Sequence, residues 1–425
     1  MTPRFKLLVL VMVMLLLAGG VVVVAWARQD EREPVTILGT WTGSQEAAFE
    51  SLLDGIGIAY DYQGTAAQRE VLLSKVQSGD PPDIVIMPGL GELAEYAGQR
   101  LLKPLDFIGH LDRYDPLWKS ADSGHPYWVP VKAGLKSIVW YRETADGAEP
   151  DPPEWCVGMG DDGPSGWPGT DWIEDLVLQR EGRTAYESWA LGKDGEAWRG
   201  RPVRDAWRAW VALLSADPRT REALFTDHRG APGVHGLLFA PGSTCTHEHQ
   251  GSFAPSFYGE EKANRARLKD SVSLLPGGEK QDHHEVTADF AALFSDREEA
   301  RDLIDALSSQ PVQEKWAEQP DVYSAHNDVT VGPDSDQVTK DIAERLRHGT
   351  RCLDASDVMP PSVRDAFYEA VLLTMARVAD RKDVDVPGIL KDIQRVQDSL
   401  PRRDERTAVA PGTVCSTNNE SPGSH

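Results

Sequence analysis

The sequence predicts an α/β fold built on a parallel sheet with helices packed on its faces. Short apolar, β-branched runs alternate with amphipathic helical stretches after position 34. The third run, 83–87, has four consecutive apolar residues between turn residues, as expected for a strand buried on both faces. Pro88-Gly89-Leu90-Gly91 follows at the carboxyl end of that strand, where open α/β sheets bind their ligands.

The remaining elements follow from the same patterns in chain order. Strands are predicted at 35–38, 58–62, 83–87, 127–132, 135–141, 236–239, 272–275 and 287–294. Helices are predicted at 44–54, 66–78, 171–181, 202–214, 298–308, 311–318, 338–348, 362–378 and 386–399, with another around Leu93 and Tyr96. The polar tail, 401–425, is predicted to be disordered.

Charge and motifs exclude several classes of function. The formal net charge of -23 argues against nucleic acid or an anionic membrane as a partner. The chain contains no G-x-S-x-G, H-E-x-x-H or P-loop motif, and no pair of carboxylates is singled out for glycoside hydrolysis. We therefore expect a protein that is not an enzyme and needs no cofactor.

The amino terminus predicts export from the cytoplasm. Arg4 and Lys6 precede an uncharged run, 7–27, that ends in an A-x-A cleavage signal. The run is also long enough to span a bilayer, so residues 1–27 are either a signal peptide or a transmembrane anchor, followed by a charged linker at 28–34. Position 20 is glycine where a lipoprotein signal would need cysteine, which excludes lipid attachment there.

The four cysteines are predicted to form disulfides. Cys156, Cys245, Cys352 and Cys415 are even in number and belong to a chain that is predicted to be exported. Three pairings are possible from the sequence alone. There is no C-x-x-C spacing that would indicate a zinc ribbon.

A set of motifs resembles the extracellular solute-binding proteins of carbohydrate ABC importers. The resemblance is to the maltose-binding or α-glucoside-binding type from actinobacteria and covers about residues 35 to 400. The motifs, in order, are GTWTG, SGDPPDIVIMPG, LLKPLD, YWVPVKAGLKSIVWYR, EWC with SGWPGTDWIED, CTHEHQGSF and FSDREEARDLIDALSSQPVQEKWA.

This resemblance implies a two-lobed, periplasmic-binding-protein-like α/β fold with discontinuous lobes and a ligand cleft between them. The first lobe would comprise 35–133 and 285–332, and the second lobe 134–284 and 333–400. It also implies that Cys156 and Cys245 lie together in the second lobe and form a disulfide, which leaves Cys352 and Cys415 to pair.

Four residues of the first lobe are candidate ligand contacts. Trp41 follows the first strand in a Gly/Thr loop, where an indole ring could stack on the C–H face of a sugar or could simply cap the first helix. Gly89 and Glu92 follow the third strand and offer backbone and carboxylate groups to hydroxyls. Lys132 precedes the first crossing between lobes and either reaches the cleft or pairs with an acidic neighbour.

Four residues of the second lobe complete the candidate site. Trp167 stands among glycines that would let its ring project into a cleft. His249, Gln250 and Phe253 are implied as sugar contacts by the resemblance of their loop. The H-x-H spacing of His247 and His249 lacks a third well-placed ligand, so we do not predict a metal site.

These observations predict an extracytoplasmic, monomeric protein that captures a sugar or oligosaccharide and delivers it to an ABC permease. The alternative is a membrane-anchored sugar sensor with the same fold. The sequence does not indicate which sugar is bound.

Overall fold

The computed structural model describes residues 33–121, 124–144, 146–161, 163–193, 195–230, 236–259, 263, 265–278, 283–401, 410–411 and 413–418. The predicted signal peptide or anchor and most of the linker lie outside these residues. None of the helices in the described part of the chain has the length and apolarity that a membrane crossing requires.

The described elements alternate as the sequence predicts over the first hundred residues. The strands are β1 Val35–Gly39, β2 Tyr60–Gly64, β3 Ile84–Met87, β4 Ser120–Ala121, β5 Trp128–Leu135, β6 Ile138–Arg142, β7 Trp155–Cys156, β8 His247–His249, β9 Ala266–Asp270, β10 His283–Leu293, β11 Gly349–Leu353, β12 Ala410–Pro411 and β13 Cys415–Asn418. The helices are α1 Ser44–Ile56, α2 Gln68–Ser78, α3 Leu90–Gly98, α4 Trp167–Ala190, α5 Arg201–Ala216, α6 Pro255–Tyr258, α7 Glu298–Ser308, α8 Gln310–Trp316, α9 Gln337–Arg345, α10 Ala355–Val358, α11 Pro361–Ala379 and α12 Val386–Ser399.

A long two-stranded ribbon, β5 with β10, runs through the main sheet. One edge of β10 pairs with β5 over 286–292. The other edge pairs with β3 over 290–293 and with β11 over 283–286. The strands β1 to β3 therefore lie at one end of the ribbon and β11 at the other, which is the arrangement that two lobes joined by crossing strands require. The predicted two-lobed α/β fold is confirmed, whereas the lobe boundaries given above stay predictions.

A second, smaller sheet packs beside the ribbon. Its strand order is β7-β8-β6-β9. The segment 138–142 thus leaves the ribbon and becomes an inner strand of this sheet, so the chain passes from one sheet to the other within a few residues.

Both predicted disulfides are present. Cys156 is joined to Cys245 with an S–S distance of 2.02 Å, and Cys352 is joined to Cys415 at 2.07 Å. The second bridge fixes β13 against β11 in register. The prediction of disorder is therefore wrong for 415–418, because a covalent bond and strand pairing hold this part of the tail.

Two predicted strands are absent. Residues 236–239 form turns, in which Leu238 is fully buried and its backbone N–H donates to the Glu248 carboxylate at 3.1 Å. Residues 271–273 form a short 3-10 helix, and the strand β9 precedes it. Short apolar runs signal burial without specifying the backbone, and here the burial occurs in turns.

Candidate functional site

A cavity of about 1100 Å³ lies against the middle of the ribbon. Its walls come from two groups of segments that are far apart in sequence. One group is 41–48 with 316–323, next to the β1–β3 end of the ribbon, and the other is 255–268 with 335–341. Lys132 lines the cavity from β5 itself. The cavity therefore has the position of a cleft between two lobes.

The β5–β10 ribbon places polar side chains at the cavity. Lys132 pairs with Asp289 and Gly134 with Thr287 in the register of β5 and β10, and alternate residues of a strand lie on one face. Burial lowers the pKa of Lys132, although Asp289 and Asp321 beside it act in the opposite direction. Burial raises the pKa of Asp321 to about 6 and also raises that of Asp289. These groups suit hydrogen bonding to hydroxyls, which both donate and accept.

Aromatic side chains line the cavity beside these polar groups. The ring of Trp41 packs 4.8 Å from that of Phe49 and 5.5 Å from that of Trp316, measured between centroids. Its indole N–H donates to the Asp289 carboxylate at 3.1 Å. Trp41 lines the cavity but is only 4% exposed. Trp41 thus packs against α1 and also lines the cavity, and its stacking on a sugar stays a prediction.

A second aromatic group surrounds Trp167 outside the walls of the cavity. The ring lies 4.8 Å from the His228 ring and 5.9 Å from the Phe253 ring. Its indole N–H donates to Asp161 at 2.7 Å, and the ammonium of Lys136 lies 4.7 Å from its centroid. The structure therefore brings the predicted pair Trp167 and Phe253 together, both partly exposed. Neither ring lines the cavity, whereas Pro255 and Ser256 at the start of α6 do.

Gly89 and Glu92 do not lie at the cavity. The Glu92 carboxylate is 3.1 Å from the Arg364 guanidinium and 3.2 Å from that of Arg69. A side chain at position 89 would meet Arg364 at 2.9 Å. Glu92 is 5% exposed, so ion pairs to helices on both sides occupy a carboxylate that was predicted to bind hydroxyls. Glu92 therefore joins α3 to α2 and α11, and neither Gly89 nor Glu92 is among the residues that line the cavity.

His249 and Gln250 are also placed in packing rather than at the cavity. The imidazole of His249 is hydrogen-bonded to Asp175 at 2.8 Å and stacks on Trp172 at 4.5 Å. Gln250 is 3% exposed, and its amide donates to the His228 carbonyl at 3.5 Å. Of the three predicted contacts in this loop, only Phe253 is partly exposed, because His249 at the end of β8 and Gln250 directly after it lie in the interior.

A cluster of buried carboxyl groups lies under the Trp167 group. Oxygen atoms of Asp171, Glu174 and Asp354 come within 4.8 Å of one another, a spacing that a metal ion could bridge. The ammonium of Lys136 lies 2.9 Å from Asp171 and 3.1 Å from Asp354 and already supplies positive charge there. Burial and the neighbouring carboxylates raise the pKa of Glu174 and Glu285 well above the ordinary value.

These carboxyl groups make stability depend on pH. Burial raises the pKa of Asp357 and that of Glu248 to about 7. A carboxyl whose pKa is raised by folding stabilises the folded state below its unfolded pKa, and this contribution is lost as pH rises through the folded pKa. Each proton that only the folded state holds is worth about 1.4 kcal/mol per pH unit. We therefore expect a lower melting temperature at pH 8.5 than at pH 6.5.

Thermal unfolding at the two pH values and constant salt measures this effect. Glu248→Gln is a suitable variant, since an amide oxygen can still accept from Leu238 and Tyr258 while the titrating group is removed. Its melting temperature should fall less between pH 6.5 and 8.5. Burial lowers the pKa of His228 and His247, which opposes the trend only below about pH 6.5. A higher melting temperature at pH 8.5 would contradict the prediction.

Several groups at the cavity could not be identified from sequence motifs. Asp289, Asp321 and Tyr323 line or flank it, yet none belongs to a motif. Trp316 reads as a packing residue in its helix, and it is indeed 2% exposed, but it also forms part of the cavity wall. The one signal that could have identified Asp289 is its position as a lone acid in an apolar run, 286–294.

The chain is similar to known periplasmic binding proteins. No protein-family model matches it. It is 28% identical over 389 residues to the alpha-glucosides-binding periplasmic protein AglE of Rhizobium meliloti, which covers 80% of this chain and 83% of the relative. The osmoprotective compounds-binding protein GgtB of Synechocystis is 27% identical over 396 residues, which cover 84% of this chain and 91% of that protein. The predicted resemblance to solute-binding proteins is confirmed.

Solved structures agree on the fold. A chitin oligosaccharide binding protein superposes with a TM-score of 0.68 and 16% identity, covering 86% of this chain and 99% of that one. At this identity the likeness concerns the fold alone. An actinobacterial origin is not confirmed by these similarities.

Proposed function

We propose that the protein is an extracytoplasmic substrate-binding protein that captures a sugar or oligosaccharide and delivers it to an ABC permease. The cavity carries this proposal, because aromatic rings, a polar ribbon and charged side chains meet in a cleft between two wall groups. Aromatic faces and fixed hydrogen-bonding groups are the chemistry that sugars require. A relative named for binding alpha-glucosides supports the same ligand class.

Among the predicted contacts, Trp41 and Lys132 would meet the ligand in the cavity. Trp167 and Phe253, which do not line the cavity, would extend the site once the lobes move. Closure by hinge motion of the ribbon would then exclude water from the ligand. The protein would act as a monomer without catalysis, since its task is to bind and release.

Calorimetric titration of residues 28–425 with a panel of sugars tests the proposal. We expect a heat of binding and a raised melting temperature with at least one α-glucoside, because a ligand that binds only the folded state stabilises it. β-Glucosides, polyols and short peptides complete the panel. Binding of peptides alone, or turnover of any glycoside, would overturn the proposal.

The location and the partner need separate tests. We propose that residues 1–27 direct export, and mass spectrometry of the native protein would find Arg28 at the amino terminus after cleavage or Met1 if the segment anchors the chain. Cross-linking in membranes that contain a sugar ABC permease should capture the ligand-bound protein. The alternative, an anchored sensor, is not favoured by the relatives, which are named as binding proteins.

A further inference from the structure

We propose that Lys136 is a positioning residue that holds the indole ring of Trp167 in place for stacking on the ligand. This inference rests on the proposed function and concerns a residue that lies within the motif YWVPVKAGLKSIVWYR but was not among the predicted ligand contacts. Lys136 immediately follows the ribbon strand β5, at the point where the chain enters the smaller sheet. The ammonium therefore sits between the two parts of the molecule whose relative position matters for binding.

Lys136 is fixed by two carboxylates from different elements. Its Nζ lies 2.9 Å from Asp171, in the first turns of α4, and 3.1 Å from Asp354, at the start of α10. The lysine side chain is 8% exposed. An ammonium bound on two sides inside the protein cannot move as a flexible surface lysine does.

The fixed ammonium lies over the Trp167 ring. The distance from Nζ to the ring centroid is 4.7 Å, within the range of a cation–π contact. At its other end the indole N–H donates to Asp161 at 2.7 Å. Trp167 opens α4 and remains partly exposed, so these two contacts, together with the rings of His228 and Phe253, orient its accessible surface.

Several acidic residues surround Lys136, and their negative charge explains why a cation lies among them. Asp171 and Glu174 of α4 face this region, together with Asp354 and Asp357 of the β11–α10 segment and Glu285 of β10. Arg364 of α11 pairs instead with Glu92. Without Lys136, this group would hold carboxyls alone, and both α4 and Trp167 at its start would have to shift.

The test replaces Lys136 by methionine, which has a similar length and no charge. Incorporated 5-fluorotryptophan gives a fluorine NMR signal for Trp167, assigned by its loss in Trp167→Phe. We expect Lys136→Met to shift that signal and to weaken binding of the sugar identified by titration at least tenfold. In a Trp167→Leu background, Lys136→Met should cause little additional loss of affinity.

A matched control separates positioning from general destabilisation. Arg351 is also buried and lies 2.9 Å from its partner Asp115, away from the Trp167 contacts described above. Arg351→Met should lower the melting temperature and leave both the Trp167 signal and the affinity unchanged. If Lys136→Met does not fold, Asp171→Asn removes one of the two anchors and should shift the signal in the same way.

An unchanged Trp167 signal in a folded Lys136→Met or Asp171→Asn variant would overturn the inference. Equal losses of affinity with and without the Trp167 ring would also overturn it, because Lys136 would then act by another route. If the wild-type protein binds no sugar, the proposed function fails, whereas the fluorine signal still decides whether Lys136 positions Trp167.

Discussion

Replacing Cys156 and Cys245 by alanine is expected to lower the free energy of unfolding by about 4 kcal/mol. The bridge joins residues 89 positions apart, so it removes much of the freedom of the unfolded chain. It also ties β7, which has only two residues, to the segment that enters β8. Trp155 of β7 packs 4.7 Å from Trp172, so loss of the bridge should also loosen packing against α4.

Denaturant unfolding of the oxidised protein and of the double variant measures the change. The comparison is the double alanine variant of Cys352 and Cys415, whose bridge spans 63 positions. That bridge holds the terminal strand β13, which can detach while the rest stays folded. Without this bridge the folded state also gains conformational freedom, so we expect a smaller loss of the free energy of unfolding. Equal losses in the two variants would contradict this distinction.

The βα units at the start of the fold could be predicted because their signals are local. Ile84–Met87 is a fully buried four-residue strand, and a short apolar run between turn residues indicates that directly. The predicted strand 287–294 was also correct in kind and belongs to the longer strand β10. A few consecutive residues are enough to indicate a buried strand when turn residues flank them. Residues 236–239 are buried but form turns, which shows that burial alone does not specify a strand.

The site could be predicted only in part because its geometry depends on register. Trp41 and Lys132, which were predicted from their places at a strand end and a crossing, do line the cavity. Asp289 contacts Trp41 across 248 residues of sequence, and nothing near either residue encodes that contact. Glu92 and His249 have suitable chemistry, but ion pairs and hydrogen bonds with distant elements occupy them. Polar character therefore identified candidates, and long-range pairing decided which of them face the cavity.

Truncating Trp41 to alanine is expected to remove both stability and binding. A nearly buried indole packed on Phe49 and Trp316 should cost about 3–5 kcal/mol of the free energy of unfolding when it is lost. The variant also leaves Asp289 without the indole donor, and it enlarges the cavity beyond the ligand. We expect the affinity for the sugar to fall at least about tenfold, which corresponds to about 1.4 kcal/mol.

Two further variants separate these effects. Trp198 is fully buried and packs on Trp189 at 5.3 Å and on Phe367 at 4.9 Å, away from the cavity walls. Trp198→Ala should therefore lose similar stability while affinity, measured on the folded protein, is retained. Trp41→Phe keeps much of the packing but loses the N–H donor to Asp289, so its effect on affinity should be intermediate. If Trp41→Ala binds the sugar as tightly as the wild type, Trp41 is a core residue and the ligand lies elsewhere.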